Sequence, residues 1–325
     1  MSAVTTHGWR LAEPIGYCVD IGGSFIKFGR AYGAGQIAVE EQVPTPIHSW
    51  MDFEDALAAL IRDFGGEADS LPLAISTTGL FDKRTGKVNA ANIPCFAGHD
   101  MVRELSARLG RTVLIANDAD SFALGEANVG AGRGHDVVMC IILGTGVGGG
   151  LVVNGKLVQG AGGVTAEWGH GAILRTHITL PKTGEDLAIP RFDCGCGQRG
   201  CTDTVGGARG VERLHRHLSG ENRTSHQILD DWEAGDAVAE RTVEAYFELL
   251  SEPLAFAINI SGATIVPAGG GLSARIKLLE GLDKAVRQKT LNPYKDPLIV
   301  PGHFFKNGGL IGVSVLAAQM QQGKV

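Results

Sequence analysis

Two short glycine turns, each entered and left by an apolar run, constrain this chain more than any other feature. The first interrupts the run from Tyr17 to Ala31 at Asp20-Ile21-Gly22-Gly23-Ser24, and the second follows Val137–Leu143 as Gly144-Thr145-Gly146-Val147-Gly148-Gly149. The second turn has the letters of a dinucleotide fingerprint, but that site needs a helix behind the glycines, and here the strand-like LVVNGKLV follows. The GxxxxGK pattern followed by Ser or Thr is absent as well. Both turns therefore read as hairpins whose bare backbone can approach a phosphate and donate N–H groups. A third strand, ATIVPA, runs into Gly269-Gly270-Gly271. These repeats of one grammar predict an internally duplicated α/β architecture. At 325 residues the chain exceeds one ordinary core, which predicts two lobes.

Composition excludes other classes. A net charge of -6 gives no electrostatic footprint for nucleic acid. The opening MSAVTTHGWRLAEPIG lacks the pattern of a secretory signal, and no run reaches the roughly 18 apolar residues of a membrane span, so the expectation is a cytoplasmic protein without membrane contact. Six cysteines are too few for a disulfide scaffold in a chain this long. Three of them cluster as Cys194-x-Cys196-x4-Cys201 with glycines between, so the turns that aim three thiolates at one ion meet no side-chain obstruction. Asp118 follows an apolar strand and stands at a helix start; such a carboxylate can accept a hydroxyl proton or serve as a helix cap.

The text DIGGS, with Lys27 three positions beyond Ser24, and the text ILGTGVGGG closely resemble the first and second phosphate loops of the superfamily of sugar kinases, heat-shock chaperones and actin. Within it, IANDADSFALGE at 115–126, Glu167-Trp168-Gly169-His170, and the run from Cys194 to Cys201 resemble the ROK family, from about residue 16 to the end. The resemblance implies an α/β, two-lobed actin-like/hexokinase (ribonuclease H-like) ATPase fold with a central cleft. The small lobe is expected at 15–118 plus about 309–325, and the large lobe at 119–308 with the zinc-binding segment.

The resemblance also implies roles. Asp118 is the base that activates the acceptor hydroxyl, which leaves Asp120 as a structural cap or surface acid. Asp20 organises Mg²⁺; Gly22, Gly23, Ser24 and Lys27 and the loop Gly144, Thr145, Gly146 hold the phosphates of ATP; Gly270 and Gly271 line the adenosine pocket. Asn92, Asn117, Glu167 and His170 contact the sugar. His170 joins Cys194, Cys196 and Cys201 in a closed structural zinc site that anchors the imidazole from its other nitrogen. Lobe closure around both substrates would exclude water, and a homodimer is expected.

Three positions depart from the pattern: Ser24 stands for the usual Thr, Ser76-Thr77-Thr78-Gly79-Leu80 for a more proline-rich loop, and Asp203 for the Glu after the third cysteine. The shorter Asp203 leaves space at the sugar that an N-acetyl group or a water can fill, or else it caps the helix beginning near Thr204. ANIPCF at 91–96, the text at 142–151 and the long spacer before the cysteines resemble the branch acting on N-acetylglucosamine. The expected activity is ATP-dependent phosphorylation of the 6-hydroxyl of an N-acetylhexosamine, with glucose and N-acetylmannosamine as rival substrates. The rival of another class is a non-catalytic ROK sugar sensor or repressor. A repressor carries a DNA-reading module ahead of this fold, for which the first phosphate loop near residue 20 leaves no room.

Overall fold

The computed structural model describes residues 13–65 and 70–324. The reading of the first twelve residues as lacking a leader lies outside them. The elements up to residue 134 are β1 (Gly16–Ile21), β2 (Phe25–Gly33), β3 (Gln36–Pro44), α1 (Trp50–Phe64), β4 (Leu73–Thr77), β5 (Leu80–Asp82), β6 (Lys87–Asn89), α2 (Met101–Leu109), β7 (Val113–Asn117) and α3 (Asp118–Val129). There follow β8 (Val137–Leu143), β9 (Val147–Val153), β10 (Lys156–Leu157), β11 (His177–Thr179), β12 (Asp186–Ala188), α4 (Asp203–Gly206), α5 (Ala208–Ser219), α6 (Ser225–Glu233), α7 (Ala237–Ser261), β13 (Val266–Gly269), α8 (Ile276–Arg287), β14 (Ile299–Pro301) and α9 (Gly308–Gln321).

The chain forms two compact units. Among the described residues the first is 13–65, 70–134, 155–165 and 304–324, and the second is 135–154 and 166–303. The first unit thus runs past the 118/119 boundary expected from sequence, because α3 packs on α9 and stays with that unit. Its sheet has the order β3-β2-β1-β4-β7, antiparallel among β1, β2 and β3 and parallel through β4 and β7. Alternation decides which way each residue points. Tyr17, Val19 and Ile21 join a core with Phe53, Leu57, Leu60 and Ile61 of α1 and Met101 and Leu105 of α2. The even positions of β1 face α9: Gly16 abuts Ala317, and Asp20 lies at Gly309 where that helix begins. Helix α1 forms because Ser49 accepts the Asp52 N–H as a cap and the apolar residues recur every three to four positions.

The second unit repeats the plan. Its strands run β9-β8-β13-β14, with β8 and β9 an antiparallel hairpin and β13 parallel to β8 and β14. Tyr246, Leu250, Leu254 and Ile258 of α7 pack in the same core as Ile141 and Leu143 of β8 and Ala268 of β13. No described helix is long and apolar enough to cross a membrane.

Candidate active site

In the first unit, the β1–β2 turn closes through the Gly22 N–H donating to the Phe25 carbonyl at 3.0 Å. Thr45, just after β3, ties down the turn's carbonyls. Its hydroxyl donates to the Gly22 carbonyl at 2.7 Å, and its N–H donates to that of Ser24 at 3.0 Å. The peptide N–H groups of Gly23 and Ser24 have no protein acceptor among the described residues. A turn whose carbonyls are held away and whose amides are open is a concavity for an anion. The same strap holds the loop carrying Asn92. The Cys95 N–H donates to Ile47 O at 3.0 Å, the Cys95 thiol to Pro46 O at 3.4 Å, and a Cβ on Gly23 would lie 3.1 Å from the Asn92 amide nitrogen.

Asp20 is the penultimate residue of β1, beside this turn. Its Oδ1 accepts the Ser76 hydroxyl at 2.9 Å, and Lys27 is its cross-strand neighbour. Burial pushes the Asp20 carboxyl above its ordinary range, against the pull of Ser76 and Lys27. A Cβ at residue 309 would stand 2.4 Å from Asp20 Oδ1 and 2.6 Å from the Ser76 hydroxyl, so only glycine lets the start of α9 approach this closely.

Asp118 opens α3 but does not cap it. Asn117 is the N-cap, its Oδ1 accepting the Asp120 N–H at 2.6 Å, which also displaces Asp120 from the capping role. Asp118 Oδ1 accepts the Ala119 N–H at 2.9 Å. The side chain keeps solvent access, yet protein atoms crowd it. The lost hydration raises its pKa above 3.8, opposed by the Ala119 N–H and reinforced by the charge of Asp20. Two desolvated carboxylates repelling each other, with one lysine nearby, suit a hard divalent cation such as Mg²⁺.

In the second unit, the β8–β9 turn mirrors the first. The N–H groups of Ala208 and Arg209 at the start of α5 donate to the carbonyls of Gly144 at 2.8 Å and Thr145 at 3.3 Å. The amides of Thr145 and Gly146 have no protein acceptor among the described residues. Gly270, at φ +88°, packs against this turn so tightly that a Cβ would lie 2.5 Å from the Leu143 carbonyl carbon. Asp203 Oδ1 accepts the Val147 N–H at 2.9 Å. The expected alternative in which Asp203 caps a helix is thereby overturned: Thr202 occupies the N-cap of α4, and no side-chain cap bond forms there.

Trp168 is buried and donates its indole N–H to Gly148 O at 2.9 Å, pinning the 167–170 turn to β9 while Glu167 and His170 stay partly exposed. His170 Nε2 lies 3.9 Å from Glu167 Oε2, and its Nδ1 lies 3.7 Å from Cys194 Sγ. Cys196 and Cys201 are 3.7 Å apart at sulfur, and the ligand atoms of all four residues lie within 4.8 Å of one another. Zinc–sulfur bonds of ~2.3 Å in a tetrahedron separate sulfurs by ~3.8 Å, so this donor set fits zinc. The Gln198 N–H lowers the Cys196 thiol to about 7 while burial raises that of Cys194 to about 12, so a full set of thiolates forms only when a metal displaces the protons. Asp203 Oδ2 is 3.7 Å from Cys194 Sγ, so one carboxylate touches both the thiol cluster and the glycine turn.

The predicted residues thus gather within each unit: Asp20, Gly22, Gly23, Ser24, Lys27, Asn92, Asn117 and Asp118 in the first, and the 144–146 turn, Glu167, His170, the three cysteines, Asp203, Gly270 and Gly271 in the second. Roles for Thr45, Ser76 and Gly309 were not anticipated from sequence. A glycine pair at the start of a helix was the one available signal for Gly309, since glycine weakens helices.

Residues 16–320 match the profile of the ROK family. N-acetyl-D-glucosamine kinases of Salmonella paratyphi C and Salmonella typhimurium are each 34% identical over 304 residues, 92% of this chain and 98% of theirs. Among solved structures, the ROK hexokinase of Thermus thermophilus is 26% identical with a TM-score of 0.78, covering 95% of this chain and 99% of that one. The ROK family glucokinase of Streptomyces griseus, solved with glucose and AMPPNP, is 26% identical with a TM-score of 0.70, covering 94% and 99%. The match therefore spans the phosphate turns, the Asp118 strand end and the cysteine cluster alike, and the chain belongs to the ROK family.

Proposed function

We propose that this ROK sugar kinase transfers the γ-phosphoryl group of ATP to the 6-hydroxyl of an N-acetylated hexosamine, N-acetylglucosamine above others. The observation that carries the chemistry is the pair of crowded carboxylates, Asp20 and Asp118, in one unit with an amide-lined turn. Asp118 takes the proton of the sugar hydroxyl as that oxygen bonds to the γ-phosphorus and the bond to the ADP oxygen breaks. Asp20 and Lys27 would hold the Mg²⁺-nucleotide. Mg²⁺ would neutralise the charge on the transferring group. The open amides of each glycine turn are donors for phosphate oxygens, and Gly271, where a Cβ would meet nothing within 4 Å, leaves room for the adenosine.

Asn117 spends its carbonyl oxygen on the α3 cap, so its amide nitrogen is the group for a sugar oxygen. Asn92, Glu167 and His170 read the hydroxyls. His170 turns Nδ1 to the thiols and Nε2 toward Glu167, and a zinc held by Cys194, Cys196 and Cys201 would fix that ring orientation. The N-acetyl preference is supported by the 34% identity to the Salmonella kinases and by the short side chain at Asp203.

ADP release measured across glucose, mannose, fructose, N-acetylglucosamine and N-acetylmannosamine is the test, and N-acetylglucosamine should give the highest kcat/KM. Preference for glucose over every N-acetylated sugar would overturn the assignment. Asp203→Glu in the same assay should shift the ratio toward glucose by about 10- to 200-fold, the scale of a methylene in a pocket. An unchanged ratio with a raised KM for ATP would instead assign Asp203 to holding the Val147 turn alone.

The strap gives a smaller expected effect. Thr45→Val removes the hydroxyl that holds the Gly22 carbonyl, and KM for ATP should rise about 2- to 10-fold with kcat nearly unchanged. Thr45→Ser should restore it; identical kinetics in all three proteins would remove Thr45 from the site.

A further inference from the structure

The first unit holds a cavity of about 620 Å³ that no part of the proposed reaction uses. Its walls come from the β5–β6 turn, α2, the edge strand β7, β10 and the end of α9. Five cations, Lys83, Arg84, Arg103, Lys156 and Lys324, line it against one lining carboxylate, Asp100, while Asp82 stands 4.0 Å from Arg84 Nη2 beside the lining. In a chain of net charge -6 that local excess runs against the average. Asp100 is already engaged: Oδ1 accepts the Arg103 N–H at 3.0 Å as the α2 cap, and Oδ2 lies 3.7 Å from Arg103 Nε. Lys156 donates to the Lys324 peptide carbonyl at 2.9 Å, a contact that leaves its charge uncompensated, and Lys83 has no acidic partner among the described residues.

Both walls are braced. On one side the Met101 N–H donates to Gly86 O at 2.9 Å, and the Arg84 N–H and Thr85 hydroxyl donate to Asp82 at 2.9 and 3.0 Å. On the other, Gln319 and Asn128 both donate to the Gly155 carbonyl, at 2.7 and 3.1 Å. The lining also includes the apolar Phe81, Val113 and Leu316. Small-molecule sites have volumes of roughly 300–1,000 Å³, apolar walls and a few convergent polar groups, and cations of one sign around a low-dielectric wall focus the field on an anion.

We propose that this cavity is a second ligand site, for a small organic phosphate. The phosphomonoester dianion sits among the cations, where each contact is a charge-assisted hydrogen bond, and its neutral or apolar body lies against the apolar residues of the lining. Cations supplied to one lining by four separate chain segments favour a dianion over a single carboxylate.

Calorimetric titration of the full chain with phenyl phosphate and, separately, with inorganic phosphate tests this. Phenyl phosphate should bind, more weakly as salt rises, and Lys83→Glu/Lys156→Glu should weaken it by about tenfold or more. Lys83→Gln/Lys156→Gln, at exposed positions and without charge reversal, should show a smaller loss in the same direction. Neither double variant should change the kinase constants. Absence of binding, unchanged affinity in both double variants, or equal affinity for inorganic phosphate and the ester would overturn the proposal. None of these readings depends on which sugar the enzyme phosphorylates.

Discussion

Asp118→Asn is expected to lower turnover by about 10²-fold or more while sugar binding and the fold survive. The amide keeps the side chain's size and can still accept the Ala119 N–H, but it cannot take a proton. Steady-state kcat alongside a direct sugar titration separates the two effects; near-normal kcat in a fully folded variant would remove Asp118 as the base. The raised pKa adds a pH signature. Activity should fall with decreasing pH through a value above the ordinary 3.8, because the base works only when ionised. Stability carries the opposite sign. A folded pKa above the unfolded one means that the folded state binds this proton more tightly, so ionisation of Asp118 works against the fold as pH rises. The Asn variant should therefore melt no lower than the parent at neutral pH, and any advantage should vanish as pH falls through the raised pKa.

Loss of the thiol cluster should be the other large effect. Purified protein is expected to carry about one zinc per chain, and Cys196→Ser to lose metal and sugar affinity together, because His170 would lose the anchor on its Nδ1. Elemental analysis and the KM for sugar in both proteins check this. Fully active enzyme free of zinc would reject the site. The ATP KM should also respond, since Asp203 touches both Cys194 and the Val147 N–H.

Much of this architecture was legible in the chain. The paired hairpins were visible because apolar alternation stops at glycines, and the thiol cluster because glycines separate three cysteines. Both are local signals carried by neighbouring residues. The capping of α3 was misread because Asn117, Asp118 and Asp120 are all competent caps; only the backbone path shows that Asn117 has the extended conformation of an N-cap, with φ -73° and ψ 170°. Thr45 left no signal, and Ser76 was visible only as part of a departure from the family loop without a role, until the strand pairing sets one beside Gly22 and the other beside Asp20.

Local pattern and spacing thus determined the α/β grammar, the two glycine turns, the acids Asp20 and Asp118 near the ends of β1 and β7, and the cluster of three cysteines, because hydrophobic period and backbone freedom act over a few residues. Tertiary structure decided what those groups touch. The register of β1 against β4 places Ser76 on Asp20, and the sheet face chosen by alternation sets Asp20 under the start of α9, where residue 309 has to be glycine. The return of α4 to the β8–β9 turn commits Asp203 to the Val147 N–H across 56 residues of sequence. Such contacts depend on how distant segments pack, and desolvation, which shifts the carboxyls of Asp20 and Asp118, exists only once that packing has removed their water.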